Sequence, residues 1–348
     1  MALLKIKIGR TALQHIREKG LSPSDIRIMP GAAGGPKWIA LHGLDEYLMK
    51  EWFTDSTLPL HLIGSSAGAW RMACHAAPDP QQTLARFLKA YVEQRYEVKP
   101  SPSEVSHNMR HIASEIVGSE GSSFITQSAR QLYILASKTK KSLTSATRLK
   151  LNFGSLFLKN LISREWMHTG LERVIFTNST RQDFIKPDSF ETSYVRLTPQ
   201  NLLSAIRSSG TIPFIMNAVD DIQEVQGQLW DGALIDYHLG LNYKPEGLIL
   251  FPHFTDEIIP GWFDKKTRRR YTGESMDRMI MISPTQKFIK SLPDAKLPDQ
   301  DDFTTYLNDN DKRIRHWYEV ADRSKALAAE LDACWRNDRW LELAEPMP

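Results

Sequence analysis

Ser66 stands at the centre of Gly64-Ser65-Ser66-Ala67-Gly68, a G-x-S-x-G pentapeptide. Glycines two places either side of a serine permit a sharp strand-to-helix turn that presents the hydroxyl for nucleophilic attack. Alone, the pentapeptide is equally an ordinary glycine-serine turn. Its context favours chemistry, because the apolar run Leu58 to Ile63 precedes it and an apolar helical stretch through Cys74 follows. An acyl-transfer nucleophile also needs N–H donors aimed at the developing oxyanion, each worth about 3 to 4 kcal/mol where measured. Upstream, Gly31-Ala32-Ala33-Gly34-Gly35-Pro36-Lys37 can provide them from Gly34, Gly35 and Lys37, since proline has no N–H, and the Ala67 amide at the helix start is a further candidate. The loop fits neither the G-x-x-x-x-G-K-[ST] nor the G-x-G-x-x-G phosphate pattern. Asp231 precedes Gly232, a pair that by itself reads as a plain Asp-Gly turn.

A Ser-Asp-His triad would instead require a late histidine, and His238, His253 and His316 are available. A nucleophile only two strands into the sheet, without an HGGG-type loop, argues against that arrangement. His107 and His111 lie four apart on an expected helix, but no glutamate follows the first as in H-E-x-x-H, so no metal is assigned. Cys74 and Cys334, the only cysteines, form no C-x-x-C motif and suit a reducing compartment. No cofactor is expected.

The elements that must position these residues read as an α/β protein. Ile26 to Met29 is the first clear strand, the glycine loop follows, and Trp38 to Met49 has helical spacing. With the second strand, Leu58 to Ile63, this makes two successive strand-turn-helix units, the signature of a parallel sheet covered by helices. Gln81 to Tyr96 is helical in pattern, and a helix ending near Gly118 follows Lys99-Pro100-Ser101-Pro102. Residues 100 to 170 read as a helical, basic insertion. Strands are expected at Arg173 to Thr177, Ser193 to Leu197 and Leu248 to Phe251, with a helix opened by Thr198 as N-cap and Pro199 at its first position. The catalytic unit is thus expected over 1–290. Over 291–348, a linker at Pro293 to Pro298 leads to a long helix whose Ile314, Trp317, Ala321, Leu327, Leu331 and Trp335 share a face that packs on the body.

Together these landmarks resemble the patatin-like phospholipase family. The G-G-x-R/K loop is Gly34-Gly35-Pro36-Lys37, with Gly43 on the following helix, and the serine elbow comes about thirty residues later. Ser208-Ser209-Gly210-Thr211-Ile212-Pro213 is similar to the family's small-residue segment, and Trp230-Asp231-Gly232-Ala233 matches its aspartate-glycine motif. The likeness spans residues 31 to 233, a little under three fifths of the chain. It departs from the family at Ala32-Ala33, at Lys37 in place of arginine, and at Trp38 in place of glycine. The resemblance implies a three-layer α/β/α fold with a mainly parallel sheet, and a Ser66-Asp231 dyad in which no histidine is needed. It also implies an oxyanion site at Gly34 and Gly35 with Lys37 and Ala67 beside it, and a lipid or other acyl ester as substrate.

Charge bears on partners. The net charge is +3, yet from Gly121 to Arg164 there is no Asp or Glu while Arg130, Lys138, Lys140, Lys141, Arg148, Lys150, Lys159 and Arg164 add eight positive charges. Apolar residues from Leu143 to Ile162 alternate with them, which fits either docking on an anionic membrane surface or a helical lid with its lysines in water. Lys265-Lys266 and Arg268-Arg269-Arg270 beside Trp262-Phe263 read as a headgroup contact or a solvated loop. No nucleic-acid-binding module accompanies either basic region, so nucleic acid is not an expected partner. No stretch approaches the ~18 uninterrupted apolar residues of a membrane span, and charges interrupt the apolar N-terminus. A cytoplasmic protein is expected, with peripheral membrane contact if the basic segment docks and none if it is a lid.

Overall fold

The computed structural model describes residues 2–54, 59–119, 121–126, 129–244 and 247–347, so Leu58, the first residue of an expected strand, lies outside the described residues. Among the described residues, ten strands form one mixed, mostly parallel sheet with helices on both faces: β1 (Leu4–Ile8), β2 (Ile26–Gly31), β3 (Leu60–Ser65), β4 (Arg130–Thr139), β5 (Leu171–Thr177), β6 (Thr192–Arg196), β7 (Leu229–Asp231), β8 (Leu248–Pro252), β9 (Met279–Pro284) and β10 (Ala344–Pro346). Their order is β10-β1-β9-β8-β2-β3-β4-β5-β6, with β7 paired to β4. This is the expected three-layer α/β/α architecture. Strands β3, β8 and β9 are buried at every position, as continuous apolar strands between two helical layers must be. By contrast β1 alternates buried and half-buried, placing Lys5 and Lys7 beside Asp256.

The expected insertion over 100–170 is corrected in part by β4, an interior strand of the sheet. It pairs parallel with β3 and antiparallel with β5. The apolar core of that strand, Leu132 to Ala136, sits among the basic residues that suggested a separate segment, and it is fully buried. The helices Pro102–Val117 and Ala146–Ile162 on either side are helical as expected.

Local differences have local causes. The stretch read as one helix from Trp38 runs instead as a 3-10 helix (Gly35–Leu41), an α-helix (His42–Tyr47) and a π turn (Leu48–Trp52). Thr198 does cap a turn, accepting from the Asn201 N–H at 3.2 Å, but the helix proper starts at Leu202. The stretch Pro293 to Pro298 opens with a 3-10 turn (Pro293–Ala295).

Two long-range ties hold the site's elements together. Arg71, buried on the elbow helix (Ala67–Ala76), clasps Asp45 with bonds of 2.7 and 2.8 Å, and His75 approaches the same carboxylate at 3.0 Å. Burial alone would raise the Asp45 carboxyl, but Arg71 and His75 outweigh it and hold the group below the ordinary carboxylate range. The helix Asn310–Arg336 buries Trp317, Leu327 and Leu331 in the main core, and its Ser324 hydroxyl accepts the Gly43 N–H at 2.8 Å.

Candidate active site

β4 brings the site together. Ser65, last residue of β3, pairs with Leu135, and Asp231, last residue of the antiparallel β7, pairs with Ala136. Two strands thus approach along the same side of β4 from opposite directions and end at adjacent positions. The side chains that follow meet: Ser66 Oγ donates to Asp231 Oδ2 at 2.8 Å. Gly232 is required at this junction, since a Cβ there would lie 2.3 Å from the Leu135 carbonyl oxygen.

Ser66 caps the elbow helix with φ 56° and ψ −135°, a conformation that costs an L-residue on the order of 1–3 kcal/mol. Neighbouring contacts impose it. A Cβ on Gly68 would fall 1.9 Å from Gly31 O, so the helix can approach β2 only as glycine. The Ser66 N–H donates to Ser209 Oγ at 2.9 Å, and the Ser209 hydroxyl donates to Leu135 O at 2.6 Å. Ser209 therefore ties the elbow to the same β4 residue that aligns the strands. Sequence reasoning placed Ser209 only inside a small-residue segment; a single hydroxyl with two long-range partners leaves no local pattern.

Asp231 is 5% exposed, and burial pushes its carboxyl up to about 7, with the Ala233 N–H and the Ser66 hydroxyl pulling the other way. Its second oxygen accepts that Ala233 N–H at 2.8 Å. The carboxylate is thereby held by one backbone bond and aimed by the other oxygen at the serine. A base poised near neutral pH has both the protonation state and the driving force for proton transfer.

Gly34, Gly35 and Lys37 line the same cavity as Ser66. The Lys37 amide bonds back to Gly34 O at 3.4 Å, whereas among the described residues the Gly34 and Gly35 amides have no acceptor. Gly35 has φ +55°, the left-handed region. A Cβ on Gly34 would strike the Phe254 ring at 2.5 Å. The Ala67 amide stands at the first turn of the elbow helix, beside Ser66 in a second cavity. The Lys37 side chain lies over Phe254, 5.4 Å from the ring centroid, and burial lowers its pKa.

Ser66, Gly35, Ile212 and Gln300 line both cavities. The first, about 210 Å³, is polar, with Lys37, Asp231, Tyr237, Lys265 and Asp301 on its walls. The second, about 620 Å³, is mostly apolar, walled by Trp70, Tyr91, Met109, Phe214, Phe303 and Leu307. Gln300 and Phe303 come from the C-terminal region, whose part in the site the sequence did not signal.

The late histidines are elsewhere. His238 Nδ1 accepts the Ile259 N–H and His253 Nδ1 the Thr255 N–H, while His316 approaches Asp294 at 3.1 Å. Burial drives His238 and His253 below their ordinary pKa. His107 and His111 belong to the helix Pro102–Val117, and no His/Cys/Asp/Glu group suited to a metal occurs among the described residues. In the basic loop, Arg269 pairs with buried Asp264 at 2.5 Å and Arg270 with Glu257 at 2.6 Å, so those two cations are committed within the protein.

Compared with known proteins, the chain matches no family model, and no curated protein or solved structure matches it significantly.

Proposed function

We propose that this protein is a serine acyl-ester hydrolase of the patatin-like type, acting through Ser66 and Asp231. The observation that carries the reading is the 2.8 Å bond from a strained elbow serine to a buried carboxylate poised near neutrality. In the first step Ser66 Oγ adds to the ester carbonyl carbon while its proton passes to Asp231 Oδ2. The carbonyl π electrons move to oxygen, and the Gly34 and Gly35 amides, with Ala67 at the positive end of the elbow helix, receive that oxyanion. Collapse expels the alcohol, which takes the proton back from Asp231 and leaves an acyl-serine. Water then adds to the acyl carbon, with Asp231 again accepting the proton and returning it to Ser66 as the acid departs. No histidine takes part.

The two cavities suggest how an ester lies. An acyl group in the apolar space and a leaving group in the polar one put the carbonyl at Ser66, where they join. Each buried methylene contributes about 0.8 kcal/mol, so aryl esters from acetate to octanoate should show kcat/KM rising severalfold per added methylene until the cavity fills. The decisive test is labelling with a fluorophosphonate. Wild type should be modified at Ser66 and hydrolyse the esters, and Ser66→Ala should do neither. A folded wild-type protein that is neither labelled nor active would leave a lipid-binding role without turnover.

A further inference from the structure

The helix Ala146–Ile162 carries apolar residues on two opposite faces. Leu149, Phe153 and Leu156 turn inward, onto Trp230 and Leu234 beside Asp231. A surface helix ordinarily shows a polar face outward. Here Leu151, Leu158, Leu161 and Ile162 are instead 51% to 69% exposed. At about 100° per residue, positions 151, 158 and 162 fall within about 40° of one another, with 161 alongside. Phe214 and Ile215 are also exposed and line the larger cavity, where the Phe214 ring meets the inward-facing Phe153 at 5.7 Å.

Cations border the stripe. Helical geometry sets Arg148 and Lys159 along one side and Lys150 along the other. Of the eight basic residues between 121 and 164, Lys138 and Lys140 are paired with Glu172 and Glu191, Arg164 approaches buried Asp236, and Arg130 bonds the Phe53 carbonyl. Among the described residues, Lys141, Arg148, Lys150 and Lys159 have no carboxylate at ion-pair distance; Lys159 bonds the Thr169 hydroxyl instead.

We propose that this face docks the protein on an anionic lipid bilayer, with the helix in the plane of the interface. Among the described residues no helix is long and apolar enough to cross a membrane, so this contact lies on the surface. A stripe of large apolar side chains between basic borders is what an interfacial helix presents to anionic lipid. A second copy of the chain is a poor occupant, because a symmetric contact through this face would set cations against cations.

Flotation with vesicles tests it. Wild type should float with phosphatidylglycerol/phosphatidylcholine vesicles, float poorly with phosphatidylcholine alone, and lose about tenfold in affinity between about 50 and about 500 mM NaCl. Leu158→Asp with Ile162→Asp should abolish flotation, and Arg148→Glu with Lys150→Glu should weaken it at least about tenfold. Both pairs are at the surface, and unchanged circular dichroism and melting would show them folded. The proposal fails if wild type stays unbound at low salt. It fails equally if the Leu158/Ile162 variant floats normally, or if velocity sedimentation shows a dimer made through this face in a protein that ignores vesicles. Ser66→Ala should float like wild type, so absent hydrolysis with intact flotation would overturn only the catalytic reading.

Discussion

At the scale of single residues, the proposed mechanism has Asp231 link activity and stability through one proton. The base must be ionised, so kcat/KM should rise with pH through a midpoint near 7 and then level off. Ser66→Ala and Asp231→Asn should each cost several orders of magnitude, because the two act as a unit. His238→Asn, which keeps an acceptor for the Ile259 N–H, should leave most of the activity; its collapse in a folded variant would revive a triad. Stability runs against activity at this residue. Its folded pKa lies above the ordinary value of 3.8, so its contribution is fully favourable below that value and is lost as pH rises toward 7. Above pH 7 a buried charge remains, at a cost on the order of a few kcal/mol. Asp231→Asn should therefore melt higher than wild type at pH 8, with the gap narrowing toward pH 4. An equal gap at both values would mean the carboxyl is not perturbed. Ser66 and Asp231 were legible in the sequence because the glycines around each are a local requirement; the pKa was not, because burial depends on everything packed around the group.

At the scale of elements, two strands abut on a third. β3 and β7 deliver the dyad to consecutive residues of β4, and Ser209 fastens the elbow to the first of them. Ser209→Ala would leave the buried Ser66 N–H without an acceptor, costing about 1–3 kcal/mol and loosening the strained serine. The expected outcome is a folded enzyme with kcat reduced at least about tenfold and KM little changed. Ser209→Thr, which restores a hydroxyl, should recover part of the loss; failure of both variants to change kcat would place the elbow's support elsewhere. The sequence pointed to β2 and β3 through apolar runs closed by glycine turns. It did not reveal β4, whose apolar centre is embedded among lysines, nor β7, whose three residues show no periodicity.

At the scale of the whole molecule, the C-terminal region packs into the same body as the candidate site. Trp317 is buried and donates its indole N–H to Asp302 at 2.9 Å, next to the Gln300 that walls both cavities. The chain then returns to the sheet, where β10 pairs with β1. Trp317→Ala should cost about 3–5 kcal/mol, seen as a lower denaturation midpoint in one cooperative transition. Separate transitions for residues 1–290 and the remainder would show two independent units instead.

The sequence by itself determined what depends on near neighbours in the chain: the glycine-flanked elbow at Ser66, the Asp231-Gly232 turn, the alternating strand-turn-helix order, and the apolar face of the last helix. These are legible because backbone conformation and helical or strand periodicity are set within a few residues. Only the tertiary structure decided which side of β4 each strand takes, that Gln300 and Phe303 reach a site built by residues far upstream, and which cations between 121 and 164 are neutralised. Lys138 and Lys150 look alike in the sequence. One meets Glu172 across a β4–β5 pairing and the other borders an exposed apolar stripe, because a charge's role follows from what folding brings beside it, and contacts across many residues leave no local trace.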